Sequence, residues 1–208
     1  MRKIEKGLEP REWTEYCATP GVDFDAISEL VDALLEEQGY VCAYCSRRIP
    51  CKDPGIPEKQ HIEHIKCRRD HHHLKRNYKN LVACCPGAID NNYHCDRLKD
   101  NSEITFSLFT DAFYNTLSYD SADGSIRSSN LEWDREINDI LNLNHKRIRK
   151  NRLSALDTFI SCMGREGWKN VKKREQIEKW NSKDSNGKYS PYGGIVLWYL
   201  KKNLRRPE

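Results

Sequence analysis

Apolar residues recur at helical spacing shortly after the start of the chain. Between Asp25 and Gly39 they follow the i, i+3, i+4, i+7, i+8 pattern of one helix face. The residues on this face are Ile27, Leu30, Val31, Leu34 and Leu35. Because glycine is a common helix terminator, the pattern predicts an amphipathic helix that ends at Gly39.

Helical spacing returns from Leu131 onward. One stripe comprises Trp133, Ile137, Ile140 and Leu141, and a second comprises Ile148, Ala155, Leu156, Phe159 and Ile160 and ends at Gly164. A third helix is predicted from Trp168 to Trp180. The short apolar run Ile195 to Leu200 follows Gly193-Gly194 and precedes Lys201-Lys202, which favours a final helix.

The middle of the chain has a different pattern. Prolines, glycines and paired cysteines interrupt residues 40–100, with short strands predicted near Arg47 to Ile49 and Gln60 to Ile65. Ile104 to Leu108 alternates apolar and polar positions, and an Asp123-Gly124 turn further on predicts a peripheral β-hairpin. We therefore predict a mainly helical α+β protein. Its segments are an N-terminal segment and helix at 1–39, a metal-stapled core at 40–102, and a hairpin with C-terminal helices at 103–208.

Composition is typical of an ordered protein in water. The 208 residues are 38% hydrophobic and 32% charged, with five Trp and ten Tyr. The longest apolar run has six residues, whereas a membrane-spanning helix needs about twenty. The opening residues MRKIEKGLEP lack the apolar stretch of a secretory signal or anchor. We expect a cytoplasmic protein with no membrane partner.

Positive charge is concentrated in two places, although the net charge is only +4. Lys66 to Lys79 carries six Lys or Arg residues against the single acid Asp70, and Lys146 to Arg152 carries five in seven. Either segment is compatible with a phosphate-binding surface or with an ordinary solvated face.

Nine cysteines, an odd number with close pairs, favour metal ligation over disulfides in a reducing compartment. Cys42-x-x-Cys45 has the spacing of a two-thiolate zinc knuckle. Cys85 and Cys95 enclose a turn-rich loop and can approach each other, whereas Cys84 on a strand faces the opposite side. We therefore predict a structural Zn²⁺ on Cys42, Cys45, Cys85 and Cys95. The others are predicted to be buried or incidental thiols: Cys17, Cys51, Cys67, Cys84 and Cys162.

The segment HIEHIKCRRD lies between the thiolate pairs, followed by Asn80-Leu81 and then by HCDRLK. This order resembles the zinc-stapled HNH (ββα-metal) endonucleases. The resemblance implies that Glu63-His64 is the acid-His step, Asn80 the middle Asn and Asp96 the final ligand, with Lys99 on the same helix face. The family commonly has Asn or His at the last position, and nine residues separate Cys85 from Cys95, so Asn92 and His94 are rivals to Asp96.

Phosphodiester hydrolysis accounts for these residue types. His64 can serve as the general base, and Glu63 and Asp96 supply oxygen ligands for a catalytic Mg²⁺ or Mn²⁺. Cations can hold the DNA phosphates, and the candidates are Lys66, Arg68, Arg69 and Lys99. Adjacent strand residues point to opposite faces, so Glu63 and His64 share a site only if the strand ends or twists there.

Three further polar features have more than one interpretation. Asn80 is expected to tether the loop by bridging backbone groups, without touching substrate. His61 shares a strand face with Glu63 and is either a surface residue or a helper at the metal. His71-His72-His73 fits a solvated or DNA-facing loop.

The resemblance extends over about residues 1–160, including LLEEQGYVCAYCSRRI, the hairpin and LNLNHKRIRKNR. Over this range the chain is similar to the HNH subunits of Septu anti-phage systems, the PtuB family, and their retron-associated relatives. The resemblance implies a DNA-cleaving effector that works with an ABC-type ATPase subunit of the PtuA type. Four C-terminal aromatic residues either dock that partner or build the protein's own core: Trp168, Trp180, Trp198 and Tyr199.

Three alternatives stay open at this point. One is a non-catalytic zinc module that binds nucleic acid, which needs the thiolates and cations but not the acid-His step. Another is a restriction-type HNH nuclease without an ATPase partner. A redox or metal sensor is the third, although the βαβ pattern expected after a thioredoxin-like Cys-x-x-Cys is missing from the sequence.

Overall fold

The structure, a computed structural model, describes residues 1–49, 60–89, 91–163 and 169–204. It combines helices with small two-stranded antiparallel sheets, which confirms the α+β class. Helix α1 (Arg11–Ala18) leads to α2 (Ser28–Glu37). Helix α2 buries the predicted apolar face and ends two residues before Gly39, whose φ is +55°.

The predicted core segment forms strands and then a short helix. Strand β1 (His61–His64) pairs with β2 (Leu81–Cys84), and Glu63 lies opposite Val82. The strands β3 (Ala88–Ile89) and β4 (Asn92–Tyr93) form a second pair, and helix α3 (Asp96–Lys99) follows. The strand predicted at Arg47 to Ile49 is reduced to one bridge between Val41 and Arg48.

The predicted hairpin is present. After helix α4 (Asp111–Tyr114), strand β5 (Leu117–Tyr119) pairs with β6 (Ile126–Ser128) across the Asp123-Gly124 turn. Ile104 to Leu108 forms part of no described sheet. The alternation instead reflects burial without strand pairing, because Ile104, Phe106 and Leu108 all lie in the core.

Helices complete the chain. Helix α5 (Leu131–Arg135) continues into a π-helical turn, Glu136–Ile140. The remaining helices are α6 (Lys146–Met163), α7 (Asn170–Asn181) and α8 (Gly193–Lys202), and α8 packs against both others. The helix boundaries predicted at Gly164 and Trp168 lie outside the described residues.

All three predicted segments contribute to one hydrophobic core. The same cluster of buried side chains contains Leu34 from residues 1–39, Leu81 from residues 40–102 and Leu156 from residues 103–208. No described helix is long and apolar enough to cross a membrane.

The second basic segment is partly structural. The Arg152 guanidinium is buried and donates hydrogen bonds to the carbonyls of Gly124, at 3.0 Å, and Leu143, at 2.5 Å. Arg149 forms a 2.9 Å ion pair with Asp123. These two residues therefore fasten α6 to the hairpin turn, and their charges are engaged within the protein.

The packing of this turn predicts a large effect of Gly124→Ala. Gly124 has a φ of +73°, and a Cβ there would lie 2.3 Å from the Arg149 carbonyl oxygen. Adding the left-handed strain to the overpacking, we expect the free energy of unfolding to fall by about 2 to 5 kcal/mol. Urea denaturation followed by circular dichroism measures this change.

Gly187→Ala is the matched control. Gly187 has a similar φ of +71°, but a Cβ there would meet no atom within 4 Å. Only the backbone strain remains, and we expect a loss of about 1 to 2 kcal/mol. Equal losses for the two variants would show that the close approach of residue 124 to α6 adds nothing to the loss of stability.

Candidate functional site

Four buried cysteines form a cluster of sulfur atoms. The Sγ atoms of Cys42, Cys45, Cys85 and Cys95 all lie within 4.8 Å of one another. Cys42 and Cys95 are separated by 3.9 Å, and Cys45 and Cys85 by 3.8 Å. A disulfide would bring two sulfurs to about 2.05 Å. A tetrahedron with metal–sulfur bonds of about 2.3 Å has edges of about 3.8 Å. The donor set therefore fits a structural metal such as zinc.

Each half of the cluster is held by backbone hydrogen bonds. The Cys42 amide donates to the Arg47 carbonyl at 2.8 Å, which closes the turn after α2. Cys85 directly follows β2, and Cys95 precedes α3 with a φ of +55°. The Cys95 amide donates to the Leu141 carbonyl at 2.9 Å. Distant parts of the chain thus present their sulfurs to one point.

The other described cysteines lie outside the cluster. Cys84 and Cys67 are buried, Cys17 is half-buried and Cys162 is exposed, and none forms a disulfide. Cys51 lies outside the described residues. Within the described ranges, the four-sulfur cluster is the one group of three or more His, Cys, Asp or Glu side chains this close together.

A polar pocket of about 420 Å³ opens between β1, the turn that follows it, and α3. Most of its walls are charged or can hydrogen-bond. The lining residues are His61, Ile62, Glu63, His64, Cys67, Arg68, Asp96, Arg97, Asp100 and Asn101. The pocket therefore brings together Glu63, His64 and Asp96, three of the residues predicted from the sequence to be catalytic.

Glu63 is buried at the inner side of this pocket. Its Oε1 accepts a hydrogen bond from the Tyr44 hydroxyl at 2.9 Å and pairs with Lys99 Nζ at 2.9 Å. Burial raises the pKa of Glu63 to about 8; Asp96 acts in the same direction and Lys99 opposes it. The carboxyl group is thus held in a defined position, and a positive charge added nearby would lower its pKa.

His64 faces the same pocket because β1 ends at this residue. Glu63 and His64 can therefore share one site although they are neighbours on a strand. His64 Nε2 lies 2.8 Å from the Lys75 carbonyl oxygen. Because a carbonyl can only accept, Nε2 carries the proton and Nδ1 is left as an acceptor. The ring packs edge-on against Phe24, and burial lowers the pKa of His64. The neutral imidazole is therefore favoured.

Asp96 begins α3 and meets His61 across the pocket. His61 Nδ1 lies 3.2 Å from Asp96 Oδ2. The two rivals to Asp96 lie elsewhere: Asn92 is exposed on β4, and His94 is fully buried with Nδ1 3.1 Å from Cys95 Sγ. The geometry thus favours Asp96 over both, and His61 joins the pocket.

The four predicted phosphate ligands have different surroundings. Arg68 lines the pocket. Lys66 forms an ion pair with Glu103, and Arg69 pairs with Asp70 at 2.9 Å. Those two cations are thus already engaged.

Lys99 differs most from its predicted role. It is fully buried, and its ammonium pairs with Glu63. A buried ammonium that faces a carboxylate cannot reach a phosphate in solvent, so this geometry argues against the predicted substrate contact.

Asn80 makes the hydrogen bonds of a tether. Its Oδ1 accepts from the Lys66 amide at 2.8 Å, and its Nδ2 donates to the carbonyls of Lys66, at 3.0 Å, and Leu74, at 3.3 Å. It is buried, and it fixes the loop after β1 without lining the pocket.

Four polar residues at the site were not predicted from the sequence, and two of them, Asp100 and Asn101, line the pocket beside α3. Arg97 lines the pocket, and Tyr44 supports Glu63 from inside the Cys42-x-x-Cys45 knuckle. The position of Arg97, next to Asp96 on a four-residue helix, was an available signal. Nothing in the sequence distinguishes Tyr44 from an ordinary core aromatic.

No protein-family model matches the chain, and no curated protein is significantly similar to it. The site by itself defines a class: an α+β protein in which a buried four-cysteine cluster, suited to a structural metal, adjoins a pocket of ionisable side chains.

The cluster geometry predicts the outcome of two neighbouring substitutions. Cys85→Ala removes a ligand, so we expect zinc content to fall well below one equivalent and the melting temperature to drop, because closed zinc sites contribute folding free energy. Cys84→Ala is the control, since its thiol contacts Cys42 but is not one of the four sulfurs of the cluster. We expect that variant to keep one zinc per chain.

Metal content of the purified proteins is measured by mass spectrometry, and stability by thermal unfolding. The reverse result, with zinc kept in Cys85→Ala and lost in Cys84→Ala, would contradict this ligand set.

Proposed function

We propose that this protein is a metal-dependent HNH endonuclease that hydrolyses phosphodiester bonds in DNA and uses zinc to maintain its fold. The observation that carries the proposal is the convergence of Glu63, His64 and Asp96 on one pocket beside the cysteine cluster. The order of these residues in the sequence, which resembles the HNH family, supports it independently.

His64 is the general base in this proposal. Its Nε2–H is fixed by the Lys75 carbonyl, so Nδ1 is available to accept a proton from the attacking water. Burial of the imidazole keeps the nitrogen unprotonated. The tether made by Asn80 holds the loop between β1 and β2 in place, because it ties the backbone of Lys66 to that of Leu74.

Glu63 and Asp96, with His61 beside them, are the residues that would hold a Mg²⁺ or Mn²⁺ ion. Carboxylate oxygens are the ligands that these hard cations prefer. Burial, together with the nearby Asp96 carboxylate, raises the pKa of Glu63. The ion would stabilise negative charge on the phosphate and on the leaving oxygen.

Two guanidinium groups on the pocket wall are suited to hold the substrate. Arg68 and Arg97 both line the pocket, and guanidinium binds phosphate through paired hydrogen bonds. Arg97 also lies over the ring of the exposed Tyr93, with its Cζ 4.3 Å from the ring centroid. Arg68 keeps its predicted role, and Arg97 takes the role predicted for Lys99.

A non-catalytic zinc module accounts less well for this pocket. Such a module needs thiolates and surface cations, but it has no use for a buried carboxylate beside an oriented histidine. Burying Glu63 and Lys99 carries a desolvation cost, and groups of this kind concentrate at active sites.

His64→Ala tests the proposed base. We expect the rate of DNA cleavage with Mg²⁺ or Mn²⁺ to fall by a factor of about 10² to 10⁴, because a general base is removed. DNA affinity and zinc content should stay unchanged. Cleavage of a labelled plasmid, filter binding and metal analysis give the three measurements.

His73→Ala is the matched control, because His73 is exposed and lies outside the pocket. It should cut at the wild-type rate. Wild-type cleavage by purified His64→Ala would remove His64 from the mechanism.

We further propose that the nuclease acts in the cytoplasm as the effector of an anti-phage system of the Septu type, with an ABC-type ATPase as its partner. The resemblance of its sequence motifs to those of the PtuB family supports this. The C-terminal aromatics lend less support, since Trp180 packs on Phe159 and Trp198 lies beside Tyr119. Trp168 lies outside the described residues.

Co-expression with an ABC-type ATPase subunit of the PtuA type tests this partnership. We expect the two chains to elute together in size-exclusion chromatography, and we expect phage protection to require both. A chain that elutes alone and protects cells without the ATPase would contradict the partnership, and would favour the restriction-type alternative.

A further inference from the structure

The inner side of Glu63 is held by two buried donors. The Tyr44 hydroxyl and the Lys99 ammonium both lie 2.9 Å from Oε1. Neither side chain has any exposed surface. Both donors therefore meet the same carboxylate oxygen.

Both donors are close in the sequence to cysteines of the cluster. Tyr44 lies between Cys42 and Cys45, inside the knuckle. Lys99 is on α3, directly after Cys95, and its backbone amide donates to the Cys95 carbonyl at 3.0 Å. The elements that supply three of the four sulfurs therefore also supply both contacts to Glu63.

We propose that Tyr44 and Lys99 are positioning residues that transmit the geometry of the cysteine cluster to Glu63. They fix Oε1 and leave Oε2 to serve the pocket, so the cluster determines how the carboxylate meets a divalent ion. The inference rests on the proposed function, in which Glu63 is a ligand of that ion.

The chemistry of the two donors suits this role. The Tyr44 hydroxyl can donate to a carboxylate oxygen, as it does to Glu63 Oε1. Lys99 Nζ also lies 3.4 Å from the His64 carbonyl oxygen. The same ammonium therefore contacts both Glu63 and the backbone of the proposed base. Replacing a buried ion pair with apolar residues often leaves a protein no less stable. A positioning role therefore explains this pair better than a contribution to stability does.

Tyr44→Phe removes only the hydroxyl and keeps the ring in the core. We expect the Kd for Mn²⁺ of the zinc-loaded protein, measured without DNA by calorimetry, to rise about 10- to 100-fold, as for other residues that orient a metal ligand. Zinc content should remain at one equivalent. The Mn²⁺ concentration needed for half-maximal cleavage should rise in parallel.

Tyr78→Phe is the matched control. Tyr78 is also buried, and its hydroxyl donates to Glu37 Oε2 at 3.0 Å, away from the pocket. This variant loses an equivalent tyrosine–carboxylate hydrogen bond. We expect it to keep the wild-type Kd for Mn²⁺.

A double-mutant cycle separates positioning from a general structural effect. If Tyr44 acts through Glu63, then Tyr44→Phe adds nothing to the loss of Mn²⁺ affinity already caused by Glu63→Gln. An additive loss would overturn the inference. Loss of zinc from Tyr44→Phe would also overturn it, since the hydroxyl would then support the cluster itself.

The two proposals fail in different ways. An active wild-type nuclease whose Mn²⁺ affinity is unchanged by Tyr44→Phe would sink the positioning inference and leave the proposed function intact. A zinc-loaded wild-type protein that neither binds Mn²⁺ nor cuts DNA would overturn both.

Discussion

The approach of four thiol groups is the constraint on which the candidate site depends. Cys42 and Cys95 are 53 positions apart, and their sulfurs meet at 3.9 Å. The sheets around them have only two strands each, and such pairs are marginal in water without further support. A metal on these sulfurs would fix the ends of α2, β2 and α3 together. The pocket is then a consequence of the cross-link, because β1 pairs with β2 and Asp96 directly follows Cys95.

Burial gives the pocket its second property. Glu63 and Lys99 are both buried, so water screens the interaction between them less than it would at the protein surface. The Glu63 carboxylate accepts both donors on the same oxygen.

The features read correctly from the sequence are those set by local spacing. The Cys-x-x-Cys knuckle, the apolar face of α2 and the Asp123-Gly124 turn each depend on neighbours in the chain. The choice of Cys85 over Cys84 rested on strand alternation, and the cluster contains Cys85. The identity of charge partners was not readable in the same way. Whether Lys66 meets a phosphate or Glu103, and whether Lys99 faces solvent or Glu63, depends on contacts between distant segments.

The shared core limits how this protein can be divided. Leu81 of the central segment lies in the same buried cluster as Leu34 and Leu156, which belong to the flanking segments. Excision of residues 40–102 would leave the outer apolar surface of that segment in contact with water. The central segment is thus not an independent folding unit, and recombination would exchange the chain as a whole more readily than this segment.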